Sequence, residues 1–142
     1  TGASYEKLFA AYLEKANEIT IEDPYIRAPW QIRNFVEFAT MLVDTRPVDD
    51  LKLTLITNEE EEKLPDLIDR LDDIKDDLAG YGITFEYKFR DFHDRCIRTD
   101  TGWTITLGRG LDIFEKYNPY SVAASRQEKR KCKDFIITYN KE

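Results

Sequence analysis

Histidine is almost missing from this 142-residue sequence: His93 is the only one. That excludes a metal centre built from several imidazoles. Cysteine is nearly as scarce. Cys96 and Cys132 are too few for a disulfide scaffold and too far apart in sequence for a zinc knuckle. Free thiols in a reducing compartment are the expectation. The longest apolar runs are a few residues, far short of the ~20 that a transmembrane helix needs. No basic, apolar, small-residue signal segment opens the chain. No Asp-x-Asp-x-Asp-Gly loop offers a calcium site, and there is no internal repeat, low-complexity tract or inter-domain linker. No cofactor is expected.

What is present is an ordinary globular composition, 42% hydrophobic and 35% charged. The length suits one domain, here taken as residues 1–142. The net charge is −7, and it is concentrated. From Glu59 to Asp77, ten acids face Lys63, Arg70 and Lys75, so this one segment carries the whole excess. Its apolar residues Leu64, Leu67, Ile68, Leu71, Ile74 and Leu78 fall at helical spacing, so the acids form the solvated face of an amphipathic helix. Near the C-terminus Arg126, Lys129, Arg130, Lys131 and Lys133 face only Glu128, which reads as a solvated loop and strand edge. The acidic balance argues against non-specific nucleic-acid binding, and no nucleic-acid partner is expected.

Hydrophobic periodicity predicts a first helix through Tyr5, Leu8, Phe9, Tyr12, Leu13 and Ala16, capped by Ser4. Ile19 and Ile21 predict a short strand ending at Asp23-Pro24. A second helix from about Pro29 to Val43 carries Ile32, Phe35, Val36, Ala39, Leu42 and Val43, and Arg46-Pro47 ends it. Leu51, Leu53 and Leu55 alternate toward Thr57. After the acidic helix, stopped by Gly80 and Gly82, Ile83, Phe85, Tyr87 and Phe89 alternate again. This α-β-α-β-α-β order signals parallel strands with right-handed crossovers. Residues 95–99 and 103–107 read as a hairpin around Thr99-Asp100-Thr101-Gly102. Leu111 to Tyr117 reads as a short helix, Tyr117 to Ser125 as loop, and Phe135, Ile137 and Tyr139 as a last strand. The expected class is α/β, with a mixed, mostly parallel sheet flanked by helices.

The chemistry concentrates in Phe92-His93-Asp94-Arg95-Cys96-Ile97-Arg98-Thr99-Asp100. On a strand His93, Arg95 and Ile97 would point the same way. An imidazole and a guanidinium so placed suit a phosphate or carboxylate. Gly108-Arg109-Gly110-Leu111-Asp112 adds a glycine-flexed loop whose amides can face an anion. Arg27 and Arg33 flank the end of the first strand, where open α/β sheets bind ligands. The competing readings are structural. His93 would pin strand to loop through Asp23, Asp94 or Asp112, and the two arginines would pair with Glu22, Asp23 or Glu37. Trp30 and Trp103 read as core or interface aromatics.

His93-x-Arg95-x4-Asp100 has the His-x-Lys-x4-Asp spacing of the phospholipase D superfamily, with arginine in place of lysine. A closer likeness runs through Tyr5-Glu6-Lys7-Leu8-Phe9, Tyr12-Leu13 and Ile19-Thr20-Ile21-Glu22-Asp23-Pro24-Tyr25-Ile26-Arg27. It continues through Gln31-Ile32-Arg33-Asn34, Phe92-His93-Asp94-Arg95, Gly102-Trp103 and Leu107-Gly108-Arg109-Gly110-Leu111-Asp112. These ordered motifs resemble the phospholipase D-like domain at the C-terminus of MIT-domain (microtubule-interacting and trafficking) proteins.

The resemblance implies a phospholipase D-like fold that has largely lost catalysis, self-associates as a homodimer and binds acidic phospholipids such as phosphoinositides. It implies a cytoplasmic domain, peripheral to membranes and excised from a longer protein whose upstream module is unknown. The superfamily uses one histidine as nucleophile and a second as general acid. One chain supplies only His93, so a phosphodiesterase or nuclease would need paired His93 across a dimer, with Arg95 and Asp100 in support. Arg109 and Leu111 stand where the superfamily's second motif has Ser and Asn, and each lost donor removes about 3 kcal/mol of transition-state support. The expectation is therefore a non-enzyme with an anion pocket of Arg27, Arg33, His93, Arg95 and Arg109. Its ligand would be a phosphate, a phospholipid headgroup or a protein partner.

Overall fold

The computed structural model describes residues 1–46, 50–59 and 64–142. Pro47 and the acidic-segment residues Glu60, Glu61, Glu62 and Lys63 lie outside the described residues. The elements are α1 (Tyr5–Leu13), β1 (Glu18–Glu22), α2 (Pro29–Thr45), β2 (Leu51–Thr57), α3 (Leu64–Ala79), β3 (Ile83–Phe89), β4 (Cys96–Thr99), β5 (Trp103–Leu107) and β6 (Ile137–Lys141). One six-stranded sheet runs β3-β2-β1-β4-β5-β6. β1, β2 and β3 pair in parallel, whereas β4, β5 and β6 are antiparallel additions on the other side of β1. The architecture is thus a mixed α/β sheet, its parallel part confined to one end.

Register explains why the core forms. Tyr87, Leu55, Ile21, Ile97, Ile105 and Tyr139 lie in one row across all six strands, on one face. The three helices cover that face. Tyr12 of α1 packs on Trp103 and Tyr139, Phe35 of α2 on Phe85, and Asp72 of α3 accepts a 2.6 Å bond from the Tyr87 hydroxyl. The chain passes from β1 to β2 to β3 in one direction. Two right-handed crossovers in the same direction put α2 and α3 on the same side. The opposite face carries Lys52, Thr84, Lys88, Arg98, Thr106 and Thr138, all exposed.

Local signals set the boundaries. Ser4 Oγ accepts from the Lys7 amide at 3.1 Å, capping α1 as expected. Pro29 opens α2, and Gln31 Oε1 accepts from the Ala28 amide at 2.9 Å. The described acids of α3, from Asp66 to Asp77, are all exposed.

Three readings of the later chain need correction. Leu111–Tyr117 is not a helix: it is turn and extended backbone, held by a bridge between Phe114 and Cys132. The residues are apolar because Leu111, Ile113 and Phe114 are buried, not because of helical periodicity. The basic stretch is not uniformly solvated, because Arg130 is 3% exposed. Its guanidinium grips both oxygens of Glu37 on α2, at 2.6 and 3.0 Å, and lies 4.0 Å from the Tyr117 ring centroid. Finally, His93 and Arg95 precede β4 rather than lie on it, since the strand begins at Cys96.

Candidate functional site

The candidate site lies at the carboxyl ends of β1, β2 and β3. The chain leaves β1 there toward β2 and leaves β5 there toward β6, in opposite directions across the sheet, which is where open sheets leave a crevice. The crevice is organised by two consecutive carboxylates at the end of β1. Side chains alternate across a sheet, so Glu22 falls on the polar face and Asp23 turns into the molecule.

Glu22 is clasped. Arg90 donates to Oε1 at 2.6 Å, while Arg98 and the Cys96 thiol donate to Oε2 at 3.2 and 2.8 Å. Burial alone would raise its pKa, but the bonds from Cys96, Arg90 and Arg98 outweigh that and hold the carboxyl below its usual range. Its burial, and after that the same contact, push the Cys96 thiol up to about 12, so it is not a nucleophile at neutral pH.

Asp23, 4% exposed, has no cationic clasp of this kind. Its Oδ1 accepts from the Tyr25 amide at 3.0 Å and its Oδ2 from the Leu111 amide at 3.2 Å. Burial raises its pKa, against the pull of those amides and of the Arg95 charge. The loop after β5 can come this close only at a glycine. Gly110 has a φ of +61°, and a Cβ there would overlap the Asp23 carboxylate. The Tyr5 hydroxyl, donating to the Leu111 carbonyl at 2.6 Å, ties the loop to α1.

A pocket of about 160 Å³ opens beside Asp23. Arg95 and Arg109 both line it, with Tyr25, Gln31 and Asn34. Arg95 lies 4.6 Å from the Tyr25 ring centroid and donates to the Gly108 carbonyl at 3.1 Å. Arg109 donates through Nε to the Asp134 carbonyl at 2.7 Å. Asp112, also on the wall, is taken by Lys133 at 2.8 Å. Among the described residues neither guanidinium has a carboxylate partner within ion-pair distance.

The other sequence-derived site residues are distributed differently. Arg27 is half-buried beside Tyr25, with its guanidinium carbon 5.4 Å from the ring centroid, and is not part of the pocket wall. Arg33 faces a neighbouring groove and hydrogen-bonds Tyr117. His93 is exposed on the loop between β3 and β4, outside the pocket wall, and makes no hydrogen bond among the described residues. Asp100 sits beyond the other end of β4, accepting from the Asn17 amide at 3.0 Å. Sequence reasoning gave no role to Asn34 or Tyr25, which also line the pocket, nor to Gln31. Their one signal is that all three fall inside the motifs that carry the family resemblance.

Glu22 and Glu37, considered above as partners for Arg27 and Arg33, are instead engaged by Arg90 and Arg98 and by Arg130. Trp30 is half exposed at 51%, whereas Trp103 packs edge-on against Tyr12 at 4.7 Å. No helix among the described residues is long and apolar enough to cross a membrane, and no cluster of His, Cys, Asp and Glu there could hold a metal ion.

Comparison with known proteins agrees with this architecture. Over 119 residues the chain is 41% identical to "MIT domain-containing protein 1" of Mus musculus, covering 82% of this chain and 47% of that protein. The chain therefore spans about half the length of this relative. Residues 2–141 match the family described as "Phospholipase D-like domain at C-terminus of MIT". On that match, which spans nearly the whole chain, the chain belongs to this family of phospholipase D-like domains.

Proposed function

We propose that this domain is a non-catalytic binding module which holds a phosphate-bearing anion between Arg95 and Arg109 and self-associates as a homodimer. One observation carries the reading. Two guanidiniums line one pocket and, among the described residues, hydrogen-bond to backbone carbonyls and close no ion pair, which favours an anionic ligand between them. Carbonyl bonds fix each guanidinium while leaving further N–H donors free, as an oxyanion requires. Tyr25, beside Arg95, stiffens the arrangement by cation–π attraction.

Hydrolysis has no comparable support. A histidine nucleophile needs a second group to orient it and a second acid to protonate the leaving oxygen. His93 is exposed and without such a partner among the described residues, and Leu111 offers the pocket no side-chain donor. Acidic headgroups at a membrane surface are one source of the anion.

Thermal denaturation in millimolar phosphate tests the proposal. Phosphate should raise the Tm by mass action. Arg95→Gln and Arg109→Gln should each diminish the rise, and added sodium chloride should screen it. A Tm indifferent to phosphate in all three proteins would overturn the anion reading. Light scattering at micromolar concentration should report about twice 16.7 kDa. Turnover of bis-p-nitrophenyl phosphate abolished by His93→Ala, with the fold intact, would replace the module by an enzyme.

A further inference from the structure

Asn34 is 6% exposed, so more than nine-tenths of it is buried, yet among the described residues its carboxamide has no hydrogen-bond partner. Its amide atoms keep contact with solvent, so they stand open to water or to a ligand rather than sealed in the packed interior. Its location shows where such a ligand would be. Asn34 lines the arginine pocket, and it also lines an adjoining groove of about 620 Å³. Asp112 is the other residue common to both, and Lys133 already neutralises it.

The two spaces differ in chemistry. The pocket offers Arg95 and Arg109. The groove is mostly apolar, walled by Trp30, Phe114 and Tyr117. Buried Arg130, stacked on Phe114 and Tyr117 at 5.1 and 4.0 Å, fixes those two rings, so the wall is preformed.

We infer that pocket and groove form one bipartite site for a small phosphate ester of a planar ring, with Asn34 hydrogen-bonding the ester at the junction. The inference rests on the phosphate reading above and extends it. The phosphoryl oxygens lie between the guanidiniums, the ester oxygen faces the Asn34 amide, and the ring lies along Trp30. A planar ring is favoured over an alkyl chain because aromatic faces stack with one another, adding to simple area burial. A nucleoside monophosphate and a tyrosyl phosphate share this chemistry, at different distances between ring and phosphorus.

Calorimetric titration with inorganic phosphate, phenyl phosphate, phenol, AMP and O-phosphotyrosine tests it. Phenyl phosphate should bind at least about tenfold more tightly than inorganic phosphate, the gain of one buried hydrogen bond or stacked ring. Whichever of AMP and phosphotyrosine exceeds phenyl phosphate identifies the source. Trp30→Ala, at an exposed position that the fold does not need, should erase the gain while leaving phosphate affinity unchanged. Asn34→Leu should erase it too, in a protein that still unfolds cooperatively. Equal affinities for phosphate and phenyl phosphate would sink the bipartite site and leave the anion pocket standing. Absence of phosphate binding would remove both. A gain that survives both substitutions would place the ring elsewhere and overturn the assignment.

Discussion

Glu22 and Asp23 are neighbours at the end of β1, buried to similar extents, and they behave oppositely. Glu22, on the polar face, meets two guanidiniums and a thiol, and its pKa is lowered. Asp23, turned inward, meets two backbone amides, and its pKa is raised. The difference teaches how the sheet divides its work. The polar face spends its arginines, Arg90 and Arg98, on closing an ion-pair cluster. The inward side holds its carboxylate with backbone amides, which leaves Arg95 and Arg109 outside any close ion pair among the described residues.

The same contrast scales up to the two sheet faces, and mutations can break it. The largest effect should come from the helix-covered side. Phe85→Ala removes a ring packed 5.2 Å from Phe35, at a residue 1% exposed, and should cost about 3–5 kcal/mol in denaturant titration. Thr106→Ala, on the polar face of β5, should stay within about 0.5 kcal/mol. Equal losses would mean that the polar face is packed against something in solution.

Next in size is the contact that makes the inward side possible. Gly110→Ala combines a positive φ with a Cβ directed at the Asp23 carboxylate, and should cost about 1–3 kcal/mol. It should also weaken phosphate binding, because Arg109 is the preceding residue. Unchanged binding in a stable Gly110→Ala protein would show that the loop need not approach Asp23 to build the pocket.

The carboxylate pair itself predicts opposite pH responses. The folded pKa of Glu22 is depressed, so its contribution is present above the unfolded value near 4.5 and lost as pH falls through the folded value. The folded pKa of Asp23 is raised, so its contribution is present below the unfolded value near 3.8 and lost as pH rises through the folded one. Glu22→Gln should therefore flatten the decline of Tm toward acid, whereas Asp23→Asn should steepen it. At neutral pH Glu22→Gln should cost about 1 kcal/mol, limited because both arginines are half exposed. Parallel Tm curves for the two variants between about pH 3 and 6 would contradict the assignment of the two environments.

The fold was largely legible because its elements bury one stripe or one strand face each. The alternation of Ile19 and Ile21, of Leu51 to Leu55 and of Ile83 to Phe89 marks residues of a single apolar face, and the α2 stripe marks its cover. Legibility failed after β5. Leu111, Ile113 and Phe114 are buried in irregular backbone, where no period exists to read, and Arg130 is buried against Glu37, 93 residues away in sequence. The site followed the same rule. Arg95 and Arg109 were found because they carry charge near the resembling motifs. Asn34 lies in such a motif as well, but an uncharged polar residue on an apolar helix face points to no ligand until the space beside it is visible. His93 drew the eye by rarity and sequence spacing, neither of which fixes where a loop residue points.

The smallest effect sharpens the comparison most. Lys52 on β2 and Glu86 on β3 form a cross-strand pair on the polar face at 3.6 Å, with side chains 47% and 44% exposed. Water competes for both groups, and salt screens them. A double-mutant cycle with Lys52→Ala and Glu86→Ala should therefore give a coupling of about 0.5 kcal/mol, vanishing in molar salt. The measurement is best made at two protein concentrations. If the polar face is solvated, the coupling is the same in both. A coupling above about 1.5 kcal/mol that grows with concentration would mean a second copy desolvates the pair, since excluding water strengthens an ion pair steeply. The bare face of the sheet, and not the helix side, would then be where this domain meets its partner.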